Sequence, residues 1–190
     1  MIIRNFHKRS TLLCLLLFAC FQTTLLISPA RATIMQYLEV EDLARLSSDI
    51  FHGQVISTVT YWNDQHTRIY TSVRVRIDES FKGSTRRSEI ITVTQLGGER
   101  DGVKMDYSGR PEFSVGESVI LFTERGKNND FVVIGLKQGK MRVEGSEVTR
   151  DFSGITLVDR ASQGRNPQPI AVKSNRIRLD ELRNRIARAR

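Results

Sequence analysis

Between Ile69 and Asp78 the chain alternates without a break. Ile69, Thr71, Val73, Val75 and Ile77 fall on one side of an extended backbone, and Tyr70, Ser72, Arg74, Arg76 and Asp78 fall on the other. A period of two cannot be reconciled with the 3.6-residue period of a helix. It demands a sheet with one face buried and the other wet. The preceding stretch has the same period: Phe51, Gly53, Val55, Ser57, Val59 and Tyr61 share one side. A glycine on that inward row calls for a bend or for close approach by another backbone. Asn63-Asp64-Gln65-His66 between the two is turn chemistry, and Phe81-Lys82-Gly83 closes the second strand.

The remaining strands are shorter. Glu89 to Leu96 is rich in Ile, Thr and Val, and Val119 to Phe122 is a continuous apolar run suited to burial on both sides. Phe131 to Leu136 returns across a loop at Gly126–Asp130, and Gly139–Glu144 with Glu147–Phe152 reads as a hairpin about Gly145-Ser146. At least six short strands with hairpin-length connections predict a mainly β domain. Closure into a small antiparallel barrel would spare so few strands their exposed edges. One helix is expected before it, over Leu38–Asp49, with Leu43 and Leu46 on one face. A basic helix is expected at the end, over Asp180–Arg190, with Asp180 as N-cap and Leu182 and Ile186 at i and i+4. Ala161 to Pro169 reads as a polar linker holding two prolines.

Residues 1–32 have the layout of an export signal. Arg4, Lys8 and Arg9 precede an apolar stretch from Thr11 to Ile27; Ser28-Pro29 breaks it, and Ala30-Arg31-Ala32 is a small-x-small cleavage site. The mature chain then begins at Thr33 and lies in the periplasm or outside the cell, with no span left in it, since a crossing needs about 20 apolar residues. The expected divisions are a signal at 1–32, a barrel at 33–159 and a linker plus basic helix at 160–190. Cys14 and Cys20 both belong to the first segment, so nothing after residue 32 can supply a thiolate to a metal or an acyl enzyme. A chain of this size holds together by its core alone.

Composition is that of an ordinary folded protein, 39% hydrophobic and 26% charged, which excludes collagen-like and strongly disordered classes. The formal charge of +8 is unevenly placed. Residues 33–159 hold 16 Lys/Arg against 19 Asp/Glu, whereas residues 160–190 hold 9 against 2. By charge, the body is therefore not a nucleic-acid surface. The tail is basic enough for weak contact with an anionic surface, but its apolar face is too narrow for insertion.

The residues Ile50-Phe51-His52-Gly53-Gln54-Val55, Ile69-Tyr70-Thr71, Phe81-Lys82-Gly83, Val93 to Gly98 and Val115 to Phe122 form a layout similar to that of a group of uncharacterised exported bacterial proteins. More remotely, the same layout resembles the netrin-like module of tissue inhibitors of metalloproteinases, an OB-type barrel. The resemblance implies the barrel and no more. Those inhibitors chelate a protease zinc through a disulfide-tethered N-terminal cysteine. At the corresponding end this chain would offer only the amine and carbonyl of Thr33.

The segment that opens at Gly97-Gly98 and runs to about Val115 is long for a structureless loop, and loops of that length are often functional. Gly97, Gly98, Glu99, Asp101, Asp106, Tyr107 and Arg110 are the expected binding residues. As calcium ligands the three carboxylates match no loop spacing, and no cofactor or metal is expected. The segment lacks the Gly-Lys-Ser/Thr ending of a phosphate loop, and no G-x-S-x-G elbow exists to pair with His52 or His66. Both histidines are expected at the surface. Stacking of single-stranded nucleic acid on Tyr61, Trp62 or Tyr70 would suit an OB barrel, but export and the acidic body argue against it. The function expected is a non-enzymatic binding or inhibitor-like module acting on a protein partner. The alternatives are a hydrolase whose site is assembled from distant residues, and a structural envelope protein.

Overall fold

Two strands of fourteen residues, β2 (Asp49–Trp62) and β3 (Ile69–Lys82), dominate the computed structural model, which describes residues 33–159, 168–172 and 174–189. Asn63 makes the turn between them: its Oδ1 accepts the backbone N–H groups of Thr67 and Arg68, each at 2.8 Å. Ahead of β2 lie β1 (Thr33–Gln36) and α1 (Val40–Leu46). After β3 come β4 (Ile90–Leu96), β5 (Gly98–Arg100), β6 (Val103–Met105), β7 (Ser118–Arg125) and β8 (Phe131–Val133). A 3₁₀ turn at Leu136–Gly139 leads to β9 (Lys140–Glu144), β10 (Glu147–Arg150), β11 (Ile155–Val158), β12 (Arg176–Arg178) and α2 (Leu179–Arg188).

Eight strands form one sheet in the order β12-β10-β9-β7-β2-β3-β4-β8, and β7 pairs with β8 as well. The sheet is mixed, not wholly antiparallel, because β4 and β8 run parallel where Val93 meets Phe131. β1 and β11 form a separate parallel pair, with Thr33 opposite Ile155. β8 is shorter than the expected Phe131–Leu136, since Gly135 and Leu136 adopt positive φ values of 67° and 55° and turn the chain out of the sheet.

The inward row of β2 does not run straight through. A register shift beside Gly53 puts its extra residue, Asp78, on β3, and the one between Val55 and Ser57 puts Ile56 on β2 and exchanges the faces of that strand. Phe51 and Val55 are buried, but Val59 and Tyr61, expected on the same row, are 56% and 40% exposed. Thr58, Thr60 and Trp62 take their place, opposite Val73, Thr71 and Ile69. The expected close approach at Gly53 is present: a Cβ there would lie 2.4 Å from the Arg76 carbonyl oxygen.

β7 separates two cores. Val119 and Leu121 pack with Phe51, Val73, Val75 and Phe131, while Ile120 and Phe122 pack with α1, α2 and Met141. Leu182 and Ile186 of α2 are fully buried there. The tail arginines are less solvated than the sequence suggests, since Arg185 pairs with Glu41 and Arg183 with Glu79, each at 2.6 Å. Asp180 is not the N-cap of α2. Extended Arg178 holds that position because β12 runs directly into the helix, and Asp180 instead accepts from the Glu181 N–H. α1 is shorter than Leu38–Asp49, for Ser47 caps it by donating to the Leu43 carbonyl and Asp49 already belongs to β2. Among the described residues no helix is long and apolar enough to cross a membrane. The signal segment, with Ala30 and Ala32, and most of the Ala161–Pro169 linker lie outside the described residues.

Candidate functional site

The segment after Leu96 is more ordered than a loop. Asp101 and Gly102, at φ 52° and 75°, turn β5 back on β6 as an antiparallel hairpin. An Asp-Gly pair at a two-residue turn is a strong hairpin signal, and it was present in the sequence. The hairpin lies over the inward side of the β2–β3 tip. Thr71 Oγ1 donates to the Gly97 carbonyl at 2.6 Å and Thr60 Oγ1 to the Glu99 carbonyl at 2.8 Å. Gly98 sits at φ 143°, and a Cβ on it would fall 2.7 Å from both Thr60 Cγ2 and Thr71 Oγ1. Only glycine can be gripped this closely.

A cleft of about 320 Å³ opens between the hairpin and the chain at Arg110–Ser114. Its floor is the inward row of β2, β3 and β4: Thr58, Thr60, Thr71 and Gln95, polar where the same row is apolar deeper in the fold. Gly98, Glu99 and Arg110 line it as well. Gln95 Oε1 and Arg110 Nε are both buried without a hydrogen-bond partner. Arg110 has Asp106 only at 3.9 Å, an ion pair beyond hydrogen-bond reach. The cleft wall therefore holds one unsatisfied acceptor and one unsatisfied donor, and unmade bonds of this kind are what a polar ligand group satisfies on binding.

Of the seven expected binding residues, the structure gathers Gly98, Glu99 and Arg110 at this cleft, with Gly97 anchoring it from behind. Asp101 points elsewhere, accepting from Trp62 Nε1 at 2.9 Å and lying 3.4 Å from Arg100. Asp106 and Tyr107 are exposed beside it. The three carboxylates do not converge, and among the described residues no cluster of three or more His, Cys, Asp or Glu could hold a metal.

A charged cluster that the sequence did not suggest borders this cleft and shares Glu112 and Ser114 with it. Glu117, whose side chain is only 6% exposed, accepts from Lys140 at 2.7 Å and from Arg142 at 3.0 Å. Lys140 also donates to the Glu112 carbonyl, which fixes the 111–114 wall. Burial works to raise the Glu117 pKa, but the Lys140 ammonium and the hydrogen bonds it receives hold it below the usual carboxylate range. No periodicity connects residues 117, 140 and 142; only the β7–β9 register brings them together.

The two histidines differ. His66 stacks on Trp62, with ring centroids 6.1 Å apart. His52 is not a free surface histidine: it is half-buried, and its Nε2 lies 2.8 Å from Ser118 Oγ. Burial lowers its pKa against the opposing charges of Asp78 and Glu79. The pair lines neither cleft described here, and Ser118 is among the described residues the only hydrogen-bond partner of the imidazole. No protein-family model matches the chain, and no curated protein matches it.

Proposed function

We propose that this chain is an exported, non-enzymatic binding module that docks a protein partner at the end of the fold built from the β2–β3 tip and the β5–β6 hairpin. The observation that carries the reading is a polar cleft with two unsatisfied buried atoms, Gln95 Oε1 and Arg110 Nε, under a hairpin fastened at Gly97, Gly98 and Glu99. Exposed apolar side chains surround this end, among them Val59, Tyr61, Val103 and Tyr107. Tyrosines around a preformed polar pocket are what a protein interface uses. Photo-crosslinkers placed at Glu99 and Tyr107, with Lys127 at the far end of the molecule as control, test it in the producing cells. One discrete protein adduct from the first two positions and none from Lys127 is expected. Equal labelling from all three, or none from any, overturns the reading.

The fold reading that goes with it is an OB-like barrel of β7, β2, β3, β4 and β8. Its support is that the pairings run from β7 through β2, β3, β4 and β8 back to β7, with a single parallel step. The likeness to netrin-like modules rests on the residue layout that includes Gly53-Gln54-Val55 and Lys82-Gly83, and such a barrel is what it implies. Export rests on residues 1–32, and N-terminal sequencing of the accumulated protein should begin at Thr33; an intact Met1 terminus refutes it.

A hydrolytic reading has one observation in its favour, the His52–Ser118 contact at 2.8 Å. It ranks second because, among the described residues, the imidazole has no third, orienting group of a catalytic triad. Labelling of Ser118 by a fluorophosphonate, abolished in His52→Ala, would promote it.

A further inference from the structure

Arg150 is buried to 95% and forms no ion pair among the described residues, although burial makes an unpaired charge costly. Its guanidinium directly touches neutral groups alone, and the Glu39 carboxylate offsets its charge from beyond the Tyr37 hydroxyl, which donates to Glu39 at 3.4 Å. It lies 5.4 Å from the Tyr37 ring centroid and 4.9 Å from that of Phe152. One amino group donates to the Leu38 carbonyl at 2.9 Å and the other to the Tyr37 hydroxyl at 3.5 Å, the second at the limit of a hydrogen bond. Nε is buried with no partner. A guanidinium has five N–H donors, and at most two are used here.

This side chain lines a cleft of about 560 Å³ that shares no lining residue with the cleft at the proposed partner-binding end. The size falls in the range of small-molecule sites. Val40, Ile170, Ala171, Val172 and Ile177 give it an apolar wall. The other arginines on its rim are already neutralised: Arg185 pairs with Glu41 and Glu39, and Arg176 pairs with Glu147. One buried, preorganised cation with no carboxylate in direct contact, beside an apolar wall, is the complement of a monoanion carrying an apolar body. Glu39, Asp159 and Glu181 at the rim disfavour a dianion such as phosphate. A planar carboxylate can take the unused donors of Arg150 side by side.

We propose that this cleft is a binding site for a small amphiphilic monocarboxylate, with the carboxylate on Arg150 and the apolar body along Val172 and Ile177. Octanoate is the probe, titrated calorimetrically into the purified protein, with 1-octanol and octyl phosphate as comparisons. Saturable 1:1 binding of octanoate is expected, at least tenfold tighter than either comparison. Arg150→Met should lose it by tenfold or more, and Arg150→Lys should lose less. Because Arg150 also secures the Leu38 carbonyl, Ala171→Trp serves as the second variant: it fills the cleft from an exposed position and should abolish binding with the melting temperature unchanged. Absence of saturable octanoate binding, equal binding of octanol, or full binding by a folded Ala171→Trp protein each overturns the proposal.

Discussion

Trp62 donates its indole N–H to Asp101 Oδ2 at 2.9 Å, joining the tip of β2 to the turn of the β5–β6 hairpin across 39 residues of chain. The bond is exposed, so it contributes about 1 kcal/mol to the closed position of the hairpin. Trp62→Phe removes the donor and leaves a carboxylate that water can solvate. Amide hydrogen exchange at residues 98–105 should then quicken severalfold while the melting temperature moves by only a few degrees. Unchanged exchange in the hairpin would mean that the two threonines beneath it suffice.

Gly98 is the tighter constraint. Any side chain there meets Thr60 and Thr71 at 2.7 Å and must also hold φ at 143°. Gly98→Ala should cost about 2 kcal/mol in urea unfolding, and Gly102→Ala about 1 kcal/mol, because Gly102 also holds a positive φ of 75° but a Cβ there has open space around it. If the two variants unfold alike, the close packing beneath the hairpin is not what holds it.

These contacts mark where the sequence stops being legible. The alternation of residues 69–77 announced β3, and the inward Gly53 announced a close backbone, because both signals are local. The face exchange in β2 was hidden: a bulge between Val55 and Ser57 inserts nothing that composition reveals, yet it moves Tyr61 to solvent and Thr60 to the cleft floor. The four-residue β1 and β11 are too short to show a period. The β5–β6 hairpin was readable from Asp101-Gly102, but the length of the segment obscured it. Of the cleft, the sequence offered Gly98, Glu99 and Arg110. Gln95 and the Glu117–Lys140 pair depend on strand register, which no single segment encodes.

Glu117 and Lys140 are largely enclosed; removing Glu117 takes away the carboxylate partner of Lys140, whereas removing Lys140 leaves Glu117 only the Arg142 contact at 3.0 Å. Lys140→Met should destabilise the protein by about 2 kcal/mol, whereas the double change Glu117→Leu/Lys140→Met should recover much of that loss. Because the folded-state pKa of Glu117 lies below the unfolded value near 4.5, its contribution is fully present above pH 4.5. It is lost as pH falls through the folded value. Stability measured between pH 7 and 3 should therefore drop on the acid side in the wild type and drop less in Glu117→Gln. Parallel acid limbs for the two proteins would contradict the assignment.

His52 gives a test in a separate pH window. Burial between β3 and β7 lowers its pKa below the ordinary 6.5, Arg183 works in the same direction, and Asp78 and Glu79 oppose. With the folded-state value below the unfolded one, the unfolded chain binds the extra proton in the interval between them. Stability must therefore rise with pH across that interval and level off above about 6.5. Below the folded value both states are protonated and the whole penalty applies. His52→Gln keeps a hydrogen-bonding group near Ser118 but cannot titrate. Urea unfolding from pH 5 to 8 should show the wild type gaining stability relative to this variant as pH rises. The His52 ring proton should titrate below 6.5 by NMR. Titration at or above 6.5, or a stability difference that does not change with pH, would show that the imidazole accepts its proton at no cost and that burial does not hold it neutral.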